Sequence, residues 1–376
     1  MINSLYIHIP FCLKKCIYCD FLSVPYDEKL VPGYMTALMN ELDLRKESAG
    51  ELRTVYIGGG TPTTVPTPAL AGLLKKIRET FTVAADAEIT IEANPGTIDK
   101  EKILALAGSG VNRFSIGVQS FDDDTLKLLG RIHTLEDVLR AVSAMHRANV
   151  GNLSIDLIYG IPGESAEDWT RNVKMAIELS PEHISAYELT PEGGTPLCDL
   201  LQNGTLAKPG EETIVGMYYE AIERLALAGY RHYEISNFAR PGHECRHNLN
   251  YWDRGQYLGI GAGAHSFIAD RRIRNTSDIG RYIELLNAGD LAIEESTEIS
   301  CEEAIKEFVF LGLRKTEGLG IREFSEDLGI DIVKASEDLI AGGMLIADHE
   351  HVRLTTRGLT VSNSIIAELF ERLELK

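Results

Sequence analysis

Six short apolar runs rich in β-branched and aromatic residues, LYIHI, TVYIGG, EITIEAN, RFSIGVQ, LSIDLIYG and HISAYELT, recur through the first half of this chain at intervals of about 25 to 50 residues. Each gap carries a helix-like stretch. Strand, crossover helix and strand in regular alternation is the pattern of a parallel sheet, because parallel neighbours need a long connection and an antiparallel hairpin does not. Six units point to an open or partial (β/α)6 barrel rather than a complete eight-unit one, with a doubly wound α/β sheet as the alternative.

The rhythm changes after about Tyr230, where RHYEISNFARPGHECRHNLNYWDRGQYLGIGAGAHSF reads as a long loop of unusual composition. We therefore place a core domain at 1–235 and a C-terminal domain at 236–376. Beyond about Thr297 the pattern is helical, MLIADHEHVRLT reads as a hairpin, and RGLTVSNSIIAELFERL reads as a last helix. Together these suggest a mainly helical, winged-helix-like region. Its nine Lys plus Arg against fifteen Asp plus Glu from Glu302 to Lys376 favour packing or partner contact over DNA. A formal net charge of −19 over 376 residues extends that argument to the whole chain, since phosphate contacts need clustered cations. No basic leader with a long apolar run and no membrane-length apolar stretch is evident, so the expectation is a cytoplasmic protein.

Half of the six cysteines crowd into YIHIPFCLKKCIYCDF, where Cys12, Cys16 and Cys19 form a C-x3-C-x2-C array just after the first strand, followed by Phe21. That density suggests metal ligation in a reducing compartment. Three thiolates can hold three irons of a cubane and leave the fourth open to a small molecule. The alternatives are a zinc site completed by His8, or reduced surface thiols. In YIGGGTP the consecutive Gly58, Gly59 and Gly60 would let the backbone approach a ligand closely, and Pro62 argues against a dinucleotide fingerprint. Glu92 and Gln119 fall at the carboxyl ends of their runs, where barrels build sites, and Asp156 interrupts an apolar run. Asp122, Asp123 and Asp124 read as a helix start with no catalytic part.

The array C-x3-C-x-Y-C followed by GGGTP resembles the radical S-adenosylmethionine (SAM) superfamily. That resemblance implies a [4Fe-4S] cluster on Cys12, Cys16 and Cys19, with SAM on its open iron. It implies SAM contacts at Tyr6, Tyr18, Gly59, Gly60, Thr61, Glu92, Gln119, Arg131 and Asp156. GVQSF, DLIYGIPG and the C-terminal region extend the resemblance over essentially the whole chain, to the oxygen-independent coproporphyrinogen III oxidase-like family. Within it, the oxidases carry a further cysteine where Phe21 stands here, and an N-terminal extension that this sequence lacks. Both departures, and HNLNYW, resemble the HemW-type haem chaperones. The resemblance thus implies a haem carrier, with porphyrinogen oxidation as the alternative. It implies His247 as the first candidate haem ligand, with Tyr251 and Trp252 beside the porphyrin; His243, Cys245 and His265 compete for that role. The implied partners are haem-acceptor proteins, which could be membrane-associated, a reductant for the cluster, and a second copy in a homodimer.

Overall fold

In the computed structural model, which describes residues 2–373, the six runs become six parallel strands. They are β1 Ser4–Ile9, β2 Leu52–Gly59, β3 Val83–Ala93, β4 Arg113–Gln119, β5 Leu153–Tyr159 and β6 His183–Glu188. They lie side by side in chain order. A doubly wound sheet would reverse its order partway, so this alternative is excluded. The crossover helices include α1 Leu30–Leu44, α2 Thr67–Thr80, α3 Lys100–Gly108, α4 Leu135–Arg147 and α5 Ala166–Glu178. The last two open on capping boxes, Thr134 with Asp137 and Ser165 with Asp168, which fix where each helix begins. Ile7, Ile57, Ile91, Ile116, Ile155 and Ile184 are all buried, as expected of strands covered by helices.

The stretch after Tyr230 is not the loop expected. It supplies β7 Arg231–Glu234, β8 Asn237–Ala239, the helix α6 Arg246–Trp252 and β9 Leu258–Ile260. All three strands join the main sheet, in the order β9-β1-β2-β3-β4-β5-β6-β8-β7. Strand β9 is parallel to β1, whereas β8 is antiparallel to β6. The 235/236 boundary therefore falls between two strands of one sheet. The outermost strands do not pair, and the barrel stays open.

Beyond the sheet, β10 His265–Ile268, β11 Arg271–Asn275 and β12 Ile293–Glu298 form an antiparallel sheet. The helix α7 Cys301–Gly312 follows, then a small sheet of β13 Leu319–Gly320, β14 Leu345–Ala347 and β15 His351–Leu354, and the closing helix α8 Ser362–Arg372. Hairpin and final helix stand where the sequence placed them. This region docks beneath the barrel. Ile235 N–H donates to the Arg314 carbonyl at 2.9 Å, the Arg314 guanidinium lies 5.2 Å from the Trp252 ring, and Glu307 pairs with both Arg254 and Arg272. Among the described residues no helix is long and apolar enough to cross a membrane.

Candidate functional site

One cavity of about 580 Å³ runs from the carboxyl ends of the parallel strands down into the barrel, and the cysteine loop forms its mouth. Cys12, Cys16 and Cys19 are free and half-buried, and all three line it. The Cys12 Sγ lies 3.7 Å from the Thr61 hydroxyl, and Arg131 Nη1 donates to the Cys16 Sγ at 3.4 Å. Burial pushes the Cys12 and Cys19 thiols up from their ordinary range, so deprotonation there needs a cation, as metal binding would supply. A zinc site completed by His8 finds no support here. No three His, Cys, Asp or Glu side chains converge on one point among the described residues. His8 is engaged at both ring nitrogens, with the Tyr6 hydroxyl at 3.0 Å and the Leu22 carbonyl at 2.9 Å. An all-thiol set spread around a cavity suits a cluster, in which each thiolate takes a different iron.

The glycines are required mainly by the protein itself. A Cβ at Gly60 would meet the Phe11 carbonyl oxygen and the Pro10 carbonyl carbon at 2.8 Å, so only glycine lets the cysteine loop sit this close to the end of β2. Gly59 has φ +114°, and a Cβ there would strike the His8 ring at 2.6 Å. Its N–H donates to Glu92 Oε2 at 3.1 Å, while the Tyr56 hydroxyl donates to Glu92 Oε1 at 2.8 Å. Removal from water, with Asp156 nearby, pushes the Glu92 carboxyl up to about 7 despite those two donors. Asp156 is likewise raised by burial, although Ser115, Ser154 and Ser185 all donate to it. At the end of β4 the register slips between Gly117 and Gln119, and Gln119 takes φ +69°, rare for a residue with a side chain. This bulge delivers Gln119 to the cavity wall.

Of the nine residues proposed for SAM, eight line this cavity: Tyr18, Gly59, Gly60, Thr61, Glu92, Gln119, Arg131 and Asp156. Tyr6 does not; it stands behind the wall with its ring against Tyr56, centroids 6.3 Å apart. The sequence reading missed Arg113, Ser115, Tyr56, Ser185 and Asn248, which line the lower cavity. The signal was present for Arg113, a lone charge opening an apolar run.

HNLNYW lies at the other end of the barrel from the cysteines. Glu88 caps the start of α6, accepting from the Arg246 and His247 N–H groups, each at 3.1 Å, and from the Cys245 thiol. His247 is 1% exposed, with Nδ1 2.8 Å from the Thr54 hydroxyl and Nε2 2.9 Å from the Tyr251 hydroxyl. Its ring stacks on Tyr56, and burial lowers its pKa to about 3. In this arrangement neither ring nitrogen is free for a metal, and the motif residue that faces the cavity is Asn248. Of the competing ligands, Cys245 is fully buried and His265 is exposed on β10.

The Radical SAM superfamily model matches residues 6–176, and the HemN C-terminal domain model matches residues 299–361. Heme chaperone HemW of Bacillus subtilis is 36% identical, covering 99% of this chain and 100% of its own length. The Escherichia coli protein of that name is also 36% identical, over 98% of this chain and 97% of its own. Among solved structures, coproporphyrinogen III oxidase (HemN) from Escherichia coli, a radical SAM enzyme, superposes with a TM-score of 0.83. It has 25% identity, over 97% of this chain and 89% of that one.

Proposed function

The chain belongs to the radical SAM superfamily and, within it, to the HemW family, and from that membership we propose that it binds haem and passes it to acceptor proteins. The observation that carries this reading is the likeness to proteins named haem chaperones, which runs end to end at 36% identity. Cys12, Cys16 and Cys19 would hold a [4Fe-4S] cluster, and Glu92, Gln119, Arg131 and Asp156 would orient SAM against it. The cluster and SAM together supply one-electron chemistry. The protein's own part is to place Arg131 beside the Cys16 sulfur and to hold Glu92 between Tyr56 and Gly59.

Haem itself finds its most open apolar surface at the cavity mouth. Leu13, Phe21, Ile132 and Tyr187 are exposed there beside Lys14 and Lys15, which suits a flat apolar ring carrying carboxylates. Ligation by His247 would require the imidazole to leave Thr54 and Tyr251. We assign the protein to the cytoplasm and propose a homodimer, a reductant and acceptors that include membrane-associated proteins as its partners. Porphyrinogen oxidation is a second reading, favoured by the close superposition on HemN and opposed by Phe21 in place of the oxidases' further cysteine.

Titration of anaerobically reconstituted protein with haem, followed at the Soret band, should saturate near one per chain, with no coproporphyrinogen turnover in the same sample. Turnover, or absence of saturable binding, would replace the carrier reading with the enzymatic one. His247→Ala separates the two haem placements: Soret titration unchanged in a folded variant puts haem at the mouth, and loss of binding puts it on α6.

A further inference from the structure

We propose that the floor of the barrel cavity is a carboxylate-binding pocket whose recognition group is Arg113. This goes beyond haem carriage and does not depend on it. Arg113 opens β4, its residue is 2% exposed, and Arg113, Ser115, Gly117 and Gln119 line the cavity in turn from floor to mouth. Six residues of strand, roughly 20 Å, separate the backbone of Arg113 from that of Gln119. Arg113 therefore belongs to a different level of the cavity from the cysteines.

The guanidinium is buried, and part of it is left without a partner. Its Nε makes no hydrogen bond, and among the described residues it forms no ion pair within 4.0 Å. The carboxylates around it form their hydrogen bonds with other groups. Glu88 caps α6, Glu92 accepts from Tyr56 and Gly59, and Asp156 accepts from three serine hydroxyls. Burial opposes charge on Arg113 and the Glu88 carboxylate favours it, and a guanidinium stays protonated in either case. A fixed cation with a rigid fork of donors and no acceptor, facing a cavity, is a site built for a planar two-oxygen anion. Asn248 from α6 lines the same pocket and adds short-range selection for a carboxylate over a spherical halide. A carboxylate would give the guanidinium a counter-charge within hydrogen-bond reach, which a neutral ligand would not.

A carboxylate could arrive on a small organic acid or on the methionine portion of SAM. Both can be tested on the full-length, cluster-loaded protein carrying ¹⁵N-labelled arginine. The buried Arg113 Nε–H should give a resolved signal, assigned by its loss in Arg113→Lys. Sodium propionate should shift that signal saturably, sodium chloride at equal ionic strength should not, and Arg113→Gln should weaken propionate binding tenfold or more. If propionate still binds to SAM-saturated protein, the ligand is a separate acid; if SAM alone reproduces the shift and excludes propionate, the carboxylate is SAM's. No shift with either probe, or the same shift with chloride, would overturn the proposal. Should Arg113→Gln fail to fold, the titration of labelled wild-type protein decides the matter alone.

Discussion

Glu92 shows how much a single residue here depends on its surroundings. Its carboxyl keeps a proton to about pH 7 in the folded protein, whereas an unfolded chain releases it near the ordinary value of 4.5. Between those values the unfolded state binds fewer protons, so this group subtracts stability as pH rises through the window and no further above it. Glu92→Gln should therefore match the ligand-free wild type near pH 4.5 and exceed it at pH 8 by roughly 1–3 kcal/mol in urea denaturation. A difference independent of pH would show that the carboxyl titrates normally. Gly60 sets a different limit, since the atoms its Cβ would strike are backbone. Gly60→Ala should cost about 2–4 kcal/mol and lower the iron bound after reconstitution, because the displaced segment leads into Cys12. Iron content at the wild-type level would mean that the loop yields without moving its thiols.

At the scale of elements, α6 matters most. Seven residues would be a marginal helix in isolation, and this one persists because Glu88 takes up its first N–H groups while His247 ties it to β2. Glu88→Gln should loosen that start at a cost of about 1–3 kcal/mol. Amide exchange at Arg246 and His247 should quicken while the strands keep their protection, and unchanged exchange would refute the capping role. The same helix explains where the sequence stopped being readable. The parallel strands of the first half announce themselves because each is long, apolar and buried on both faces. Strands of three or four residues such as β8 and β9 are too short for alternation to register, and α6 has no apolar stripe. Likewise, Cys12, Cys16 and Cys19 stood out by spacing and position, Glu92 by its place at the end of a run, and Asp156 as a charge inside one. Arg113 stood in the sequence as a lone charge opening an apolar run, but only the fold sets it at the floor of the cavity.

Over the whole molecule, the barrel and the C-terminal region meet beneath α6, and Glu307 is the busiest group at that junction. It accepts from Arg254 at 2.9 Å and from Arg272 at 2.8 Å, and both guanidinium carbons lie over the Phe267 ring. Glu307→Ala should destabilise the junction by about 1–3 kcal/mol, with Arg272→Ala on the same background adding less than it does alone. Strict additivity in that double-mutant cycle would show that the pairs are solvated and independent. The position of α6 also has a consequence for traffic. A helix stoppered into the foot of the barrel narrows that end, so the cavity runs from Asn248 to the cysteines. Whatever reaches Arg113 from the cysteine end travels the length of the strands to do so, and it leaves by the same route.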